Sequence, residues 1–361
     1  LPVTIHPDAG GEIRATAEDY ARVIKVMTGT RPLIRESVEP QGFVIGTTGQ
    51  FGIHRDDPGL LIKDEFDGRE AYIIRPENDP ARVWILGNRE DGACHGVYSL
   101  LRENGYRALF PGKEWEVFPK KKILIVSGPS EGRPKVLTRQ IWAGFGSFDK
   151  QQSADVDVWR RRNRLGASIT GQIGHSWESM IRRSPDAFAA NPLLYGEKED
   201  GSSNKNSLRH GSEKVVDFTA EYLRKLASDP RSHDILSIAP TDGDNYSRDK
   251  ETTARGDVSE SFYWYVNEVA ARLRKAEPDK LVGTTAYYKH AKPPSFDLAP
   301  NVVVLGATQF GSGGMSLDDF FSAWSKRTKY LGIRDYIYSG YQFVADHPDG
   351  GFRVKPLEQQ R

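Results

Sequence analysis

Cysteine is almost absent. Cys94 is the only one, which excludes an internal disulfide framework and a thiolate metal cluster. A dominant charge is lacking too, because 50 Lys and Arg stand against 49 Asp and Glu for a net +1. No strong field draws the chain to nucleic acid or an anionic membrane, so neither is expected as a partner. No apolar run approaches the roughly 20 residues of a membrane-crossing helix, so no membrane span is expected. There is no G-x-S-x-G elbow, no H-E-x-x-H pair and no phosphate loop with its full spacing. Internal repeats and low-complexity tails are missing as well.

What is present is enough apolar material for a large core. Of 361 residues, 38% are hydrophobic and 11% aromatic, which suits two domains or one barrel with an appendage. The first segment, "LPVTIHPDAG", already reads as a strand. A removed N-terminal signal, and with it a secreted or periplasmic protein, is the expectation.

Residues 1–130 alternate short β-rich runs ("PVTIH", "GFVIGT", "EAYIIRP", "RVWILG") with two helical patterns. The first helix is predicted to open at Thr16 as N-cap and stop at Gly29; the second covers about Gly92 to Asn104. This reads as a small α+β domain, and the Gly/Pro-rich stretch 127–135 reads as its linker to a second domain over 135–361.

From Lys135 onward the rhythm lengthens. Strand-like runs "LTRQIWAGF", "ASITGQIGHSW", "DILSIAP", "LVGTTAYY", "NVVVLGATQF" and "DYIYSGYQF" alternate with helices, the last of them "SLDDFFSAWSKRTKYLG". The simplest fit is an α/β fold of the (β/α)8 TIM-type barrel, incomplete toward the C-terminus, with a doubly wound sheet as runner-up. The polar, Gly- and Ser-rich segment from Arg182 to Gly211 reads as an excursion over one face.

In such a barrel the C-terminal strand ends carry the chemistry. "DILSIAPTDGDNYSRD" empties a buried strand into Asp242, Asp244 and Asp249. Two carboxylates of separated proton affinity are what glycoside hydrolysis needs, which makes Asp242 and Asp244 the catalytic candidates. Turn chemistry or helix capping is the plain alternative, and Asp249 fits it best. Calcium is not expected, because the acidic run lacks the EF-hand spacing. No metal or cofactor is predicted.

Around that turn the sequence sets a sugar-binding mouth of oligosaccharide or polysaccharide type. His175, Trp177 and Glu178 come from "GQIGHSWES", and Tyr287 and Tyr288 from "AYYKH". Trp142, Gln309, Tyr338 and Tyr341 end further strand runs. Aromatic and amide groups at several strand ends describe a sugar cleft better than a dry core. A core Trp177, a helix-starting Glu178 and half-buried tyrosines are the bland alternatives.

A resemblance then emerges. "ILGNREDGACHGVYSLLRENGYRALFPGKEWEVFP" resembles the small domain preceding the barrel in α-glucuronidases and β-hexosaminidase-like enzymes. "GHSW", "LSIAPTDGDN", "YWYVNEVAARLRKAEPDKLVGTTAYYKHAKPP" and "PNVVV" resemble a bacterial family catalogued as a domain of unknown function of the 4838 type, similar to glycoside hydrolase family 163. That family includes endo-β-N-acetylglucosaminidases acting on N-glycans. The resemblance implies a glycan-processing barrel in which Asp242 matches the acidic position, Tyr287 and Tyr288 an A-Y strand end, and His175 a G-H motif. The chain departs from the family pattern where "NYSRD" and "LRHG" replace cysteines, and no glutamate after Tyr341 clearly supplies a late general acid. Two alternatives stay open: a non-catalytic glycan-binding protein, and a polysaccharide lyase or α-glucuronidase-type enzyme on uronic acids using Lys289 and Arg139.

Overall fold

The computed structural model describes residues 1–78, 81–141, 150–308 and 313–335. The chain divides into two compact units, Leu1–Ile169 and Thr170–Arg361.

The first unit begins with β1 (Val3–Ile5), helix α1 (Gly11–Thr28), β2 (Ile34–Glu36), β3 (Gly42–Thr47) and the single turn α2 (Thr48–Phe51). Next come β4 (Tyr72–Asn78), β5 (Ala81–Gly87), α3 (Glu90–Glu103), the short pair β6 (Arg107–Ala108) and β7 (Glu116–Val117), and β8 (Ser130–Gly132). β9 (Thr138–Arg139), α4 (Lys150–Arg162) and β10 (Gly166–Ala167) complete it. The main sheet runs β2-β1-β3-β5-β4-β8, and β4 is antiparallel to both its neighbours. Ile45, Ile74 and Ile85 pack with α1 and α3, while Val44, Ile73, Trp84 and Leu86 form a second cluster. Burial on both faces explains why these strands read as near-continuous apolar runs.

Helix α1 starts five residues before the predicted Thr16 cap. Ile13 and Thr16 are both buried, and the Thr16 hydroxyl donates to Cys94 Sγ at 3.1 Å, so the helical stripe extends through Gly11. The stretch 127–135 contributes an edge strand, β8, paired to β4. Residues up to Ile169 stay with this unit partly through Glu70, whose fully buried carboxylate accepts two hydrogen bonds from Arg139 and one, at 2.6 Å, from the Ser168 hydroxyl.

The second unit opens with an extended segment, 170–175, followed by α5 (Trp177–Arg183), α6 (Pro185–Ala190) and the hairpin β11 (Tyr195–Glu197) and β12 (Ser203–Leu208). Then come α7 (Glu213–Ala227), β13 (Ile235–Ser237), the short α8 (Lys250–Thr253), α9 (Val258–Ala276), β14 (Leu281–Ala286), β15 (Val302–Ala307), α10 (Leu317–Ser325) and β16 (Tyr330–Arg334). β13-β14-β15-β16 is a parallel sheet in sequential order. Segment 170–175 runs beside β13, with Ile235 N–H donating to Thr170 O and a parallel bridge from His175 to Ala239. Leu236, Val282, Val302 and Val304 pack with α7, α9 and α10 in one core that includes Phe262, Tyr263, Phe320 and Trp324.

Three expectations change here. The architecture is mixed α/β, and among the described residues the sheet has four strands and is not a closed barrel; parts of three expected barrel runs, at 142–145, 309–310 and 336–343, lie outside the described residues. The pattern read as helix up to Gly332 breaks at Ser325, and its tail becomes β16 because Tyr330–Arg334 pair with β15. The polar excursion plants Phe188, Leu194 and Leu208 in the core, so it is a structural wall.

Candidate functional site

The turn after β13 is built by two residues with restricted or special backbones. Pro240 has no N–H to continue a ladder, and Gly243 sits at φ 82°, a left-handed conformation open to glycine at little cost. The chain folds back there and leaves Asp242 exposed, with the Asn245 amide donating to the Asp242 carbonyl.

The end of β14 and the end of the extended segment 170–175 meet Asp242. Tyr287, just past β14, donates its hydroxyl to Asp242 Oδ1 at 2.8 Å. His175, at the end of the extended segment, places Nε2 3.9 Å from the same oxygen. Its Nδ1 lies 2.6 Å from the Pro240 carbonyl, which can only accept, so Nδ1 carries a proton and Nε2 is the nitrogen turned to Asp242. The His175 and Tyr287 rings stand edge-on, 6.3 Å apart. The Tyr287 hydrogen bond outweighs partial burial and, helped by the Gly243 N–H and the field of His175, holds the Asp242 carboxyl below the usual carboxylate range. Asp242 is therefore an anion at neutral pH.

Asp244 is not paired with Asp242. Its carboxylate lies 3.2 Å from Arg248 and 3.9 Å from Lys289, two cations that bracket the turn. Asp249 is buried and caps α8, accepting from the Thr252 backbone and hydroxyl and the Ser247 hydroxyl. Tyr288 is exposed, with Lys289 over its ring, and holds φ 49°. A bulky side chain in that region is uncommon and points to a turn held from outside.

Trp177 is corrected: its ring is fully buried against His210, Phe262 and Tyr265, so it presents no face to a sugar. Glu178 is exposed in the first turn of α5, where a negative charge suits a helix start. Trp142, Gln309, Tyr338 and Tyr341 lie outside the described residues. Arg139 is committed to Glu70 in the first unit. His95, also there, is buried and pushed down to about 4 by desolvation, as a packed neutral ring.

The sequence reading missed Tyr246 and His290. Both are buried, and the Tyr246 hydroxyl meets His290 Nδ1 in a short hydrogen bond. Burial pushes His290 down to about 3 and His210 to about 4, so both are neutral. The only sequence signal was their place in the quoted "NYSRD" and "AYYKH" motifs. No group of three or more His, Cys, Asp or Glu side chains among the described residues could hold a metal ion, and no described helix is long and apolar enough to cross a membrane.

The arrangement defines an α/β protein whose parallel strand ends carry an open carboxylate–phenol–imidazole cluster. The chain belongs to the DUF4838 family, a domain of unknown function whose sequence profile matches residues 110–355. No protein of curated function matches the sequence. Among solved structures, a β-N-acetylhexosaminidase from Bacteroides fragilis overlaps at a TM-score of 0.45 and 13% identity, covering 93% of this chain and 72% of that one. A family GH115 4-O-methyl-α-glucuronidase, BtGH115A, described as specific for decorated arabinogalactans, overlaps at 0.48 and 11%, covering 85% of this chain and 45% of that one. The GH20 β-N-acetylhexosaminidase from Streptomyces coelicolor A3(2) overlaps at 0.43 and 16%, covering 96% and 74%. Overlaps this loose carry no chemistry to this chain.

Proposed function

We propose that the second unit belongs to a glycan-cleaving glycoside hydrolase, with endo-β-N-acetylglucosaminidase action as the finer form of that reading. The observation that supports it most is the ionised Asp242, held by Tyr287 and faced by His175 at the strand ends. A carboxyl below its usual range is a poor proton donor and a good anion. It suits a substrate bearing an N-acetyl group, whose amide N–H it would accept. The acetamido oxygen then attacks the anomeric carbon, the glycosidic bond breaks, and the leaving oxygen takes a proton from a separate acid; water reopens the ring formed. Asp244 in the same turn holds Arg248 and Lys289, and Tyr288 offers an exposed ring to a sugar.

Among the described residues the four strands run parallel in sequential order, without the strand reversal of a doubly wound sheet, which supports the barrel reading of this unit. Action on large extracellular glycans fits an exported protein. Lys289 and Arg248 also favour a second reading, an enzyme acting on uronic acids, whose lyase form would release an ultraviolet-absorbing product.

The test is product release from N-glycans, β-N-acetylglucosaminides, glucuronides and uronic polysaccharides by wild type and Asp242→Asn. Loss of about a hundredfold or more in the variant, with binding retained, is the expected result. Equal rates in both proteins would make the acidic turn structural; binding without cleavage would leave a glycan-binding protein.

A further inference from the structure

Asp242 and Tyr287 belong to two separate turns, 240–246 after β13 and 287–290 after β14, and the hydrogen bond joining them lies at an exposed surface. In water such a contact has a small net worth and does not by itself hold two loops in register. A second connection lies in the core. Tyr246 ends the first turn and His290 the second, and their short hydrogen bond ties the two turns together out of reach of solvent.

We propose that Tyr246 and His290 are the positioning pair that sets the Asp242–Tyr287 contact. His290 is pinned on several sides. Its Nε2 faces Thr285 Oγ1 at 3.4 Å, its carbonyl accepts the Tyr263 hydroxyl at 2.8 Å, and its ring stands 4.7 Å from that of Phe262. Tyr263 also reaches the Thr285 carbonyl at 3.1 Å, so one phenol closes both ends of the stretch 285–290. Between those ends Tyr288 holds its left-handed backbone, which a residue with a side chain keeps only when its surroundings impose it. The Tyr287 and His290 rings are 6.2 Å apart, edge to face. Tyr246 is held in turn by His210 and Phe262. A loosened Tyr246–His290 contact releases the first turn from the pinned second one, and Asp242 drifts away from the Tyr287 hydroxyl.

The inference rests on the hydrolase reading only for its catalytic consequence, and its test needs no substrate. The side-chain carboxyl carbon of aspartate is labelled in the full chain, the Asp242 signal is assigned with Asp242→Asn, and its titration is followed by NMR. Among the described residues His175 and Tyr287 face this carboxyl, and the buried Tyr246 phenol, uncharged in the range of the titration, lies within electrostatic reach of it. Wild type is expected to titrate below the ordinary value of about 3.9, and Tyr287→Phe closer to it. Tyr246→Phe, which removes no atom bonded to Asp242, is expected to move the titration the same way. Tyr265→Phe loses a buried hydroxyl bonded to Thr219 at 3.0 Å and serves as the control: stability falls and Asp242 does not move. Should Tyr246→Phe not fold, Tyr263→Phe carries the same expectation. The proposal is overturned if Tyr287→Phe shifts the signal while the Tyr246 or Tyr263 variant leaves it in place, if Tyr265→Phe shifts it equally, or if Tyr287→Phe leaves it unmoved. None of these outcomes bears on whether glycans are cleaved, which the substrate panel decides separately.

Discussion

Asp242 was legible because its neighbours are punctuation. Pro240 and Gly243 announce a turn in any sequence, and an acid between them at the end of an apolar run has little choice but to face solvent. Its partner was less visible as a partner, since Tyr287 lies 45 positions away and the pairing depends on how β13 and β14 align. Trp177 shows the opposite failure: two residues after His175, it was expected at the mouth, but its position starts α5 and its ring is buried in the core. The depressed Asp242 carboxyl has a kinetic consequence. If its anion is required, kcat/KM falls only as pH drops through that low value. Removing the hydroxyl in Tyr287→Phe raises the Asp242 value, so the acid limb of the pH–rate profile moves to higher pH. A limb that stays put, or moves lower, would show that a different group sets it.

At the scale of elements, the helix expected from about Gly92 to Asn104 came within two residues of α3, whereas α1 starts five residues before its expected cap. α9 opens at Asp257, whose side chain accepts from Glu260 N–H at 3.0 Å. Short strands fared worse. β16 is five residues long and continues a helical pattern, so only its pairing with β15 identifies it. The wall formed by α6 and the β11–β12 hairpin was hidden because its few apolar residues are scattered among polar ones. One residue governs how closely segment 170–175 approaches the sheet. A Cβ on Gly283 of β14 would sit 2.6 Å from both Ile173 Cγ1 and Ile235 Cγ2. Gly283→Ala is expected to cost about 1–3 kcal/mol in urea unfolding. A neutral result would mean that the segment moves freely against β13 and β14.

Over the whole molecule, charge balance said little about function but burial says much about acid tolerance. His95 in the first unit and His210 and His290 in the second are buried and neutral, with values pushed down to about 4, 4 and 3. In the unfolded chain each titrates near 6.5. The folded state therefore binds fewer protons below that pH, so stability is complete above about 6.5 and is lost as pH falls toward 4, by up to about 1.4 kcal/mol per pH unit for each histidine. Urea midpoints at pH 8, 6.5 and 5 measure this, and equal midpoints at 6.5 and 5 would refute it. The alternation of strands and helices was readable at this scale, whereas closure of a sheet is a property of all its strands together and no local pattern carries it.

The sheet of the second unit also has a mechanical side. Arg334, at the end of β16, donates from Nη1 to the carbonyl of Ile173 at 2.9 Å, although β13, β14 and β15 stand between them in the sheet. The guanidinium is a string across a bow: it keeps the curl of the sheet under restraint, two residues from His175. Any flexing that draws β16 away from segment 170–175 must first let that string go.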